Sequence, residues 1–554
     1  MIEVPVFTPV QNRGDFWNHL IALEIVKTKL LKTKSTNKKN EEIEDFKDKI
    51  WVQLLAILNS FEHDGKQRID HCFAGLVSYF IKLKVLDNFI MTTSFTKTKE
   101  DELRTRMKLD GFVLNHLELI SSSSTKKQDN LFAFMDRCFS APGKRMLRSQ
   151  ICSPSLNISE INSRLDAIEV VFKHPEFIEN FRILLEGQGD YERRLIRLTS
   201  YSLKKSTAVF YHDMTKKRLL ELKNFFKFME DCFQLLKRFS EENQIASSKL
   251  TGLVTPLSVE GGLMPEIASE VQSIMENIEW TEDGMTPLPK LGLNPVFDDC
   301  KVRSDQYCDD LETHLEQIRD ELNNDEIKYA NIKDRYEIEI PDKVAKSNKK
   351  NLIPKDFVFS SSRKGYTRYT SEVTRRKVEQ IKRVEDEIRE ELSTFCAHIF
   401  EYFLQRKHSW TRFIDIIKEL DVLVCLSSIS FATNMNMTRP TITTRAETAK
   451  PAYDAINLVH PVLVDKVDFF VPNDVTMGTK SISPFLLITG PNMGGKSTML
   501  RQVAISVIMG QIGCYVAAES CSFTLVDRIF TRLGATERII IGKSTFQVEA
   551  EEAL

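Results

Sequence analysis

Apolar residues recur at intervals of three and four positions along much of the first half of the chain. This spacing extends from about Leu103 to Glu230. A clear example is the set Ile161, Leu165, Ile168 and Val171. Residues three and four apart lie on one face of a helix, so the repeated spacing marks the buried side of amphipathic helices. The pattern predicts an α-helical scaffold.

Glycine and proline interrupt the helical pattern between Gly252 and Pro295. Both residues end or break helices, so this segment predicts a domain boundary near Pro295. Earlier in the chain, Thr33 to Lys47 is polar and charged with almost no apolar content. That composition indicates an exposed loop between helices.

Beyond Pro295, two stretches show the alternating four- and three-residue spacing of a coiled-coil seam. The first contains Leu311, Leu315, Ile318 and Leu322, and the second extends from Ile381 to Ile399. Between them, apolar and charged residues alternate over Tyr336 to Pro341, which is typical of a strand. We predict two long helices packed on one another, with a small β-element at the tip of the arm that they form.

The predicted tip is basic, although the chain as a whole is not. Seventy-six basic and 78 acidic residues give a net charge of -2, which predicts no general attraction to nucleic acid or membranes. Lys343 to Arg383, however, contains 13 basic and three acidic residues, and a phosphate backbone would be attracted there. A solvated loop and helix face is the alternative interpretation. The candidate DNA contacts are Lys349, Lys350, Arg363 and Lys364.

Length and composition favour a multidomain, globular protein of a reducing compartment. The chain has 554 residues, of which 42% are hydrophobic and 28% charged. Its ten cysteines form no C-x-x-C pair and no zinc-type cluster, so buried thiols are expected. No run of 18 apolar residues and no signal peptide is present, which predicts a cytosolic or nuclear protein without membrane contact.

The strongest chemical signal is a phosphate-binding motif. Gly490 to Ser497 matches G-x-x-x-x-G-K-[ST] at every fixed position. The apolar run Phe485 to Thr489 predicts a buried parallel strand ahead of it, and apolar residues at helical spacing follow Ser497. Strand, glycine turn and helix therefore occur in the order that a P-loop requires.

The residue types of the motif match the chemistry of nucleotide binding. Glycines allow backbone N–H groups to surround phosphate, and the start of the following helix favours an anion. Lys496 would pair with the β- and γ-phosphates, and the Ser497 hydroxyl would ligate Mg²⁺. We predict binding of ATP or ADP with magnesium. The candidate residues are Gly490, Pro491, Asn492, Met493, Gly494, Gly495, Lys496, Ser497 and Thr498.

Hydrolysis needs a second motif, usually an apolar strand ending in Asp or Asp-Glu that holds the metal. No such strand follows the P-loop in this sequence. Leu525 to Leu533 is apolar, but Asp527 stands near its start and basic residues follow, so we interpret Asp527 as structural. No catalytic residue is assigned, and we expect the chain not to turn over ATP unaided.

The P-loop and its surroundings resemble the MutS family of DNA mismatch repair proteins. Pro491, Asn492 and Met493 fill the variable positions in the manner of that family. The neighbouring segments that resemble it are Val459–Pro461, Phe470–Asn473, Gly513–Ala518, Asp527–Ala535, and Gly542–Phe546 with Glu549. The resemblance implies that Phe470 stacks on adenine and that Ser544 reaches across a dimer interface to the partner's nucleotide.

The upstream scaffold resembles the same family. The segments are Leu109–Glu118, Gly143–Leu147, Arg164–Ala167 and Asp190–Arg193, which look like its lever domain. Tyr336–Pro341 and Arg363–Tyr369 resemble the MutS homolog 6 branch more than the bacterial form. Ser149–Ile151 departs from the family, which usually has Trp-Leu there.

The resemblance implies a multidomain fold with an α-helical lever and a long-helix clamp with a small β tip, followed by a partial α/β P-loop ATPase domain. The expected domains are the end of a connector (1–102), the core and lever (103–294), the clamp (295–391), a lever helix returning to the ATPase (392–440) and the partial ATPase domain (441–554). The mismatch-reading domain and the later dimerisation region of the family are not in this sequence, so we expect a piece of a longer protein, truncated at both ends.

The implied function is that of an ATP-binding, mismatched-DNA-binding subunit in DNA mismatch repair. It would act in the nucleus on double-stranded DNA as an ATP-dependent sensor of DNA damage, paired with a MutS homolog 2 type subunit. One alternative is a catalytically silent or meiotic MutS-like clamp that binds nucleotide without hydrolysing it. Another is a chromosome-maintenance ATPase, which predicts terminal half-heads and a much longer coiled coil than the sequence contains.

Overall fold

The computed structural model describes most of the chain after residue 104. The described ranges are 105–120, 130–201, 212–281, 287–330, 336–345, 353–431 and 433–532, the last with short gaps at 434, 445–446, 448–449, 468, 480–481 and 492–493. Residues 79, 80 and 83 are also described. The predicted loop at 33–47 and nearly all of the predicted connector therefore lie outside the described residues.

The chain divides into two compact units. The first consists of Met1–Leu203, Lys227–Ile267 and His408–Leu554, and the second of Lys204–Phe226 and Ala268–Lys407. The described helices are α1 (Gly111–His116), α2 (Leu131–Met135), α3 (Ala141–Cys152), α4 (Ile158–Phe172), α5 (Pro175–Leu185), α6 (Tyr191–Tyr201), α7 (His212–Glu242), α8 (Ser248–Val254), α9 (Ile267–Met275), α10 (Pro295–Leu322), α11 (Asp342–Ala345), α12 (Glu372–Gln405), α13 (Lys407–Phe431) and α14 (Lys496–Gln511).

The described strands are short and form small sheets. They are β1 (Ile278–Trp280), β2 (Pro287–Pro289), β3 (Lys328–Ala330), β4 (Glu337–Pro341), β5 (Val358–Arg363), β6 (Tyr366–Thr370), β7 (Met437–Thr438), β8 (Thr441–Thr443), β9 (Tyr453–Leu458), β10 (Asn473–Met477), β11 (Val516–Ala517) and β12 (Ser520–Thr524). A 3-10 turn covers Val464–Lys466. Helices dominate the described residues, which confirms the predicted helical scaffold.

Large buried side chains hold the helices of the first unit together. Tyr191 of α6 lies 5.3 Å from Phe228 of α7, and Phe233 of α7 lies 6.3 Å from Phe413 of α13, measured between ring centroids. Trp410, also on α13, is fully buried. These aromatic contacts bury large apolar areas, which is the main favourable contribution to packing.

A buried carboxylate connects α13 to the start of α3. Asp421 is fully buried and accepts hydrogen bonds from Phe139 N (2.9 Å), Ser140 N (3.0 Å) and Ser140 Oγ (2.6 Å). Burial raises the pKa of this carboxyl group. An added Cβ at Gly143 would lie 2.1 Å from Asp421 Oδ2, so only glycine fits at this contact.

The first unit also contains a four-stranded sheet with the order β10-β9-β12-β8. β12 pairs parallel with β8 and antiparallel with β9. Helix α14 contacts this sheet through a hydrogen bond between Ser506 Oγ and Tyr453 OH (2.7 Å). Gly510 on the same helix lies against the ring of Phe523. The sheet therefore supports the helix that follows the glycine turn.

The second unit contains the two long helices. α10 has 28 residues and begins at Pro295 with Asn294 as its N-cap, and α12 has 34 residues and begins with a Ser371–Thr374 capping box. The two helices pack on one another. Between them in sequence lies a four-stranded sheet, β3-β4-β6-β5, which we call the β tip (Lys328–Thr370). The structure confirms the predicted long helices and β-element, while the domain boundaries stay predictions.

The predicted P-loop strand is not formed. Phe485–Thr489 has no strand structure, and Phe485 and Leu487 are each 75% exposed. A buried parallel strand needs hydrogen-bonding neighbours and cover on both faces. No strand of the described part of the chain pairs with this segment, so the apolar run alone does not make a strand here.

Within the described residues, the structure has neither a helix suited to crossing a membrane nor a cluster of candidate metal ligands. No helix there is long and apolar enough to cross a membrane. The His, Cys, Asp and Glu side chains of that part of the chain form no cluster of three able to hold a metal ion. The nine described cysteines are all free thiols.

Candidate functional site

The glycine turn of the predicted P-loop leads directly into α14. Gly495 is the N-cap of this helix and has φ 82°, a left-handed conformation that glycine adopts without strain. Gly494 N donates to Pro491 O at 3.2 Å, and an added Cβ at Gly494 would lie only 3.0 Å from that oxygen. The backbone conformation therefore favours glycine at Gly495, and the loop leaves little room for a side chain at Gly494.

Lys496 and Ser497 occupy the first turn of α14. Lys496 Nζ donates to Gly490 O (2.7 Å) and Pro491 O (2.6 Å), so its ammonium group lies over the loop. Ser497 is exposed. Free backbone N–H groups at a helix start, together with a lysine, form a suitable environment for phosphate. The described residues of the loop fit a nucleotide phosphate and its magnesium.

The structure describes only some of the other residues predicted for this site. Thr498 is half-buried on the first turn of α14. Phe470, expected to stack on adenine, is half-buried just ahead of β10, between the exposed Phe469 and Val471. Asn492, Met493 and Ser544 lie outside the described residues. The roles of Phe470 and Ser544 stay predictions.

Two polar side chains near the P-loop helix, those of His460 and Gln502, were assigned no role from the sequence. His460 is 6% exposed, and its Nδ1 is buried without a hydrogen-bond partner among the described residues. Burial and the positive charges of Arg501 and Lys466 lower the pKa of His460 to about 4. Both amide atoms of Gln502 are also buried without such a partner in this part of the structure. Isolated residues of these types give no motif signal.

The C-terminal end of α14 is anchored in the helical scaffold. Gln511 Nε2 donates to Ser155 O (2.9 Å) and Val526 O (3.0 Å), and Ser155 N donates back to Gln511 O (3.1 Å). Nearby, Arg164 donates to Ile512 O at 3.4 Å. Arg501 pairs with Glu118 at 3.0 Å toward the other end of the helix. The P-loop helix is thus bound to the scaffold near both ends.

Asp527 is exposed, and its described contact is made by the backbone. Its carbonyl oxygen accepts a hydrogen bond from Lys108 N at 3.0 Å, next to an isolated bridge between Lys108 and Arg528. This contact joins the segment after β12 to the start of the scaffold. The contact does not involve the carboxylate, so the structural interpretation of Asp527 stays a prediction.

The predicted DNA contacts are divided between described and undescribed residues. Arg363 ends β5, Lys364 is exposed in the following turn, and Gly365 closes that turn with φ 88°. Arg363 Nε pairs with Glu339 Oε1 at 2.7 Å, and its guanidinium lies 5.2 Å from the centre of the Tyr366 ring. Lys349 and Lys350 lie outside the described residues.

Several basic residues of this region are already paired. Lys377 pairs with Asp310 of α10, and Arg383 pairs with Glu379 one helical turn away. The count of basic residues in the sequence therefore overstates the positive charge available to a ligand. Part of this overestimate arises because the count covered only Lys343 to Arg383. It therefore omitted acidic partners outside that segment, such as Asp310.

The comparisons with known proteins agree with this architecture. A family model of MutS domain III matches residues 113–427, which is more than half of the chain, and one of MutS domain V matches residues 486–554. The chain belongs to the MutS family. The predicted family membership is confirmed.

Three individual relatives show how similar the chain is to known mismatch repair proteins. The chain is 31% identical to DNA mismatch repair protein Msh6 of Gallus gallus over 81% of its own length, and 30% identical to Msh6 of Homo sapiens over the same share. It is 29% identical to DNA mismatch repair protein MSH3 of Kluyveromyces lactis over 91% of its length. The chain spans 35%, 34% and 46% of these relatives, respectively.

Proposed function

We propose that this chain is the nucleotide-binding and DNA-binding part of a MutS-type mismatch repair subunit. It binds ATP or ADP with Mg²⁺ through Gly490–Thr498 and contacts duplex DNA through the β tip. The observation that carries the nucleotide proposal is the glycine turn at the start of α14, with Lys496 over the loop and Ser497 exposed. Membership of the MutS family supports the DNA-binding and mismatch repair parts of the proposal.

The nucleotide proposal predicts a specific effect of Lys496→Ala. The substitution removes the charge that would meet the β- and γ-phosphates, and hydrogen bonds to charged groups contribute about 1.5–3 kcal/mol. We expect affinity for ATP and ADP in the presence of Mg²⁺ to fall by roughly tenfold to a hundredfold. Isothermal titration or a fluorescent nucleotide measures this change.

The matched control is Lys450→Ala, which removes an exposed lysine of the same unit. It should bind nucleotide like the wild type. Circular dichroism confirms that both variants are folded. Equal nucleotide affinity in the Lys496→Ala variant and the wild type would contradict the assignment of the site.

The DNA and partner proposals rest on different support. The β tip presents Lys364 and the half-exposed Arg363 to solvent, and basic side chains of this kind bind phosphate regardless of sequence. The relatives are named DNA mismatch repair proteins, which supports action in that process. We further propose a nuclear location and pairing with a MutS homolog 2 type subunit. Co-purification of the two subunits from a cell that co-expresses them tests the pairing.

A further inference from the structure

The two faces of β4 have different chemistry. Ile338 and Ile340 belong to a hydrophobic cluster with Ile318, Leu322 and Ile327. Side chains alternate along a strand, so Glu337 and Glu339 lie on the opposite face. That face would ordinarily be solvated, yet both glutamates are only 2% exposed. Buried carboxylates require partners, and these two have different ones.

Glu339 is shared by two arginines from the neighbouring strands. Arg368 of β6 stands directly opposite it and approaches Oε1 at 3.4 Å. Arg363 of β5 is paired with Tyr366 of β6, reaches across that strand and approaches the same oxygen at 2.7 Å. One negative charge therefore lies beside two positive ones.

The two arginines differ in their access to solvent. The Arg363 side chain is 51% exposed, whereas that of Arg368 is 10% exposed. If Arg363 moved to another anion, Glu339 would keep Arg368 as a partner. Breaking a buried ion pair is expensive mainly because it leaves a charge unpaired, and that cost is reduced here.

We propose that Glu339 lowers the affinity of the β tip for nucleic-acid phosphate by competing for Arg363. A phosphate oxygen offers a guanidinium the same type of charge-assisted hydrogen bond as a carboxylate oxygen does. In the folded chain the Glu339 carboxylate is already at bonding distance, so a phosphate must displace it or share the guanidinium. This inference rests on the proposed DNA contact of the β tip and names the residue that regulates it.

The test compares three variants of the whole chain in binding to a duplex DNA of random sequence. Glu339→Gln removes the competing charge. Glu337→Gln is the matched control, because it removes an equally buried charge from the same face, but that carboxylate accepts from the Ser360 hydroxyl and has no described arginine partner. The double variant Glu339→Gln with Arg363→Gln removes both the competitor and the cation.

Fluorescence anisotropy over a series of salt concentrations gives the affinity and its salt dependence. We expect Glu339→Gln to bind on the order of threefold to tenfold more tightly at moderate salt, with a slope of log affinity against log salt steeper by about 0.9, the value for one additional phosphate contact. Glu337→Gln should change the affinity less and leave the slope unchanged. The double variant should lose the gain.

The inference is overturned if Glu339→Gln binds no more tightly than the wild type. An equal gain in Glu337→Gln, or a gain that persists in the double variant, overturns it as well. If circular dichroism shows that Glu339→Gln does not fold, Glu339→Asp replaces it, since the shorter side chain withdraws the carboxylate from Arg363 and should act in the same direction. If the wild-type chain does not bind duplex DNA, the proposed DNA function is refuted. If the wild type binds duplex DNA and Glu339→Gln binds it no more tightly, only this inference is refuted.

Discussion

Burial of one histidine predicts that the stability of the first unit depends on pH. His460 is held neutral because burial and the charges of Arg501 and Lys466 lower its pKa to about 4 from an ordinary value of 6.5. Between these two values the unfolded chain binds a proton that the folded chain does not. Stability from this group is therefore fully present above pH 6.5 and is lost as pH falls toward 4.

The substitution His460→Gln removes this titration. As pH is lowered from 7 to 4, we expect the unfolding free energy of the wild type to fall by up to about 3 kcal/mol more than that of the variant. Urea unfolding followed by tryptophan fluorescence at several pH values measures it. The control is His398→Gln, whose imidazole is 73% exposed. If the unfolding free energies of the wild type and the His460→Gln variant depend on pH in the same way, the assignment of this titration to His460 is contradicted.

At this scale, the motif spacing predicted a glycine turn that the structure contains, while its nucleotide-binding role stays a prediction. Gly495, Lys496 and Ser497 could be predicted because a phosphate-binding turn demands those residue types in consecutive positions. Asp421 could not, since its partners Phe139 and Ser140 are 282 and 281 residues away in sequence. A contact of that kind leaves no local pattern.

At the scale of elements, α14 depends on close packing against the sheet. An ideal Cβ at Gly510 would lie 2.7 Å from Phe523 Cζ and 3.4 Å from Pro440. Phe523 is itself buried and stacks on Tyr453, so it has little room to move. Glycine therefore allows the helix that carries the P-loop to approach β12 closely.

We expect Gly510→Ala to destabilise the first unit by about 1–3 kcal/mol, because overpacking outweighs the higher helix propensity of alanine. Gly111→Ala is the control, since no atom lies within 4 Å of an added Cβ there. That variant should be neutral or slightly stabilised. Urea unfolding midpoints compare the two. A Gly510→Ala midpoint equal to that of the wild type would show that Phe523 yields without cost.

The elements themselves were predictable where their pattern is local. α10 and α12 follow from apolar spacing, and the capping residues Asn294 and Ser371 stand at their starts. The segment Phe485–Thr489 was wrongly predicted as a strand. Its apolar composition is suitable, but a strand also requires neighbouring strands, and the described residues supply none.

At the scale of the whole chain, we expect nucleotide binding without efficient hydrolysis. No apolar strand ending in an acidic pair occurs between the P-loop and Leu554. Without a metal-holding carboxylate, most of the electrostatic stabilisation of the transition state is lost. We expect the purified chain to release phosphate from Mg-ATP far more slowly than about 1 per second, an ordinary enzyme rate.

Steady-state phosphate release with and without duplex DNA tests this expectation. The Lys496→Ala variant supplies the background caused by contaminating ATPases. Turnover of about 1 per second or more that disappears in this variant would contradict the expectation and would require a catalytic acid that the sequence did not reveal.

The sequence by itself determined the family, the helical scaffold, the long-helix arm and the position of the glycine turn. Each depends on a short-range rule: residues three or four apart share a helix face, and a phosphate-binding turn needs glycine at set positions. Only the tertiary structure decided that Glu339 is buried with Arg363 and Arg368, that Asp421 holds the start of α3, and that Phe485–Thr489 remains unpaired. Burial and pairing depend on which distant segments meet, and periodicity along one segment does not encode that.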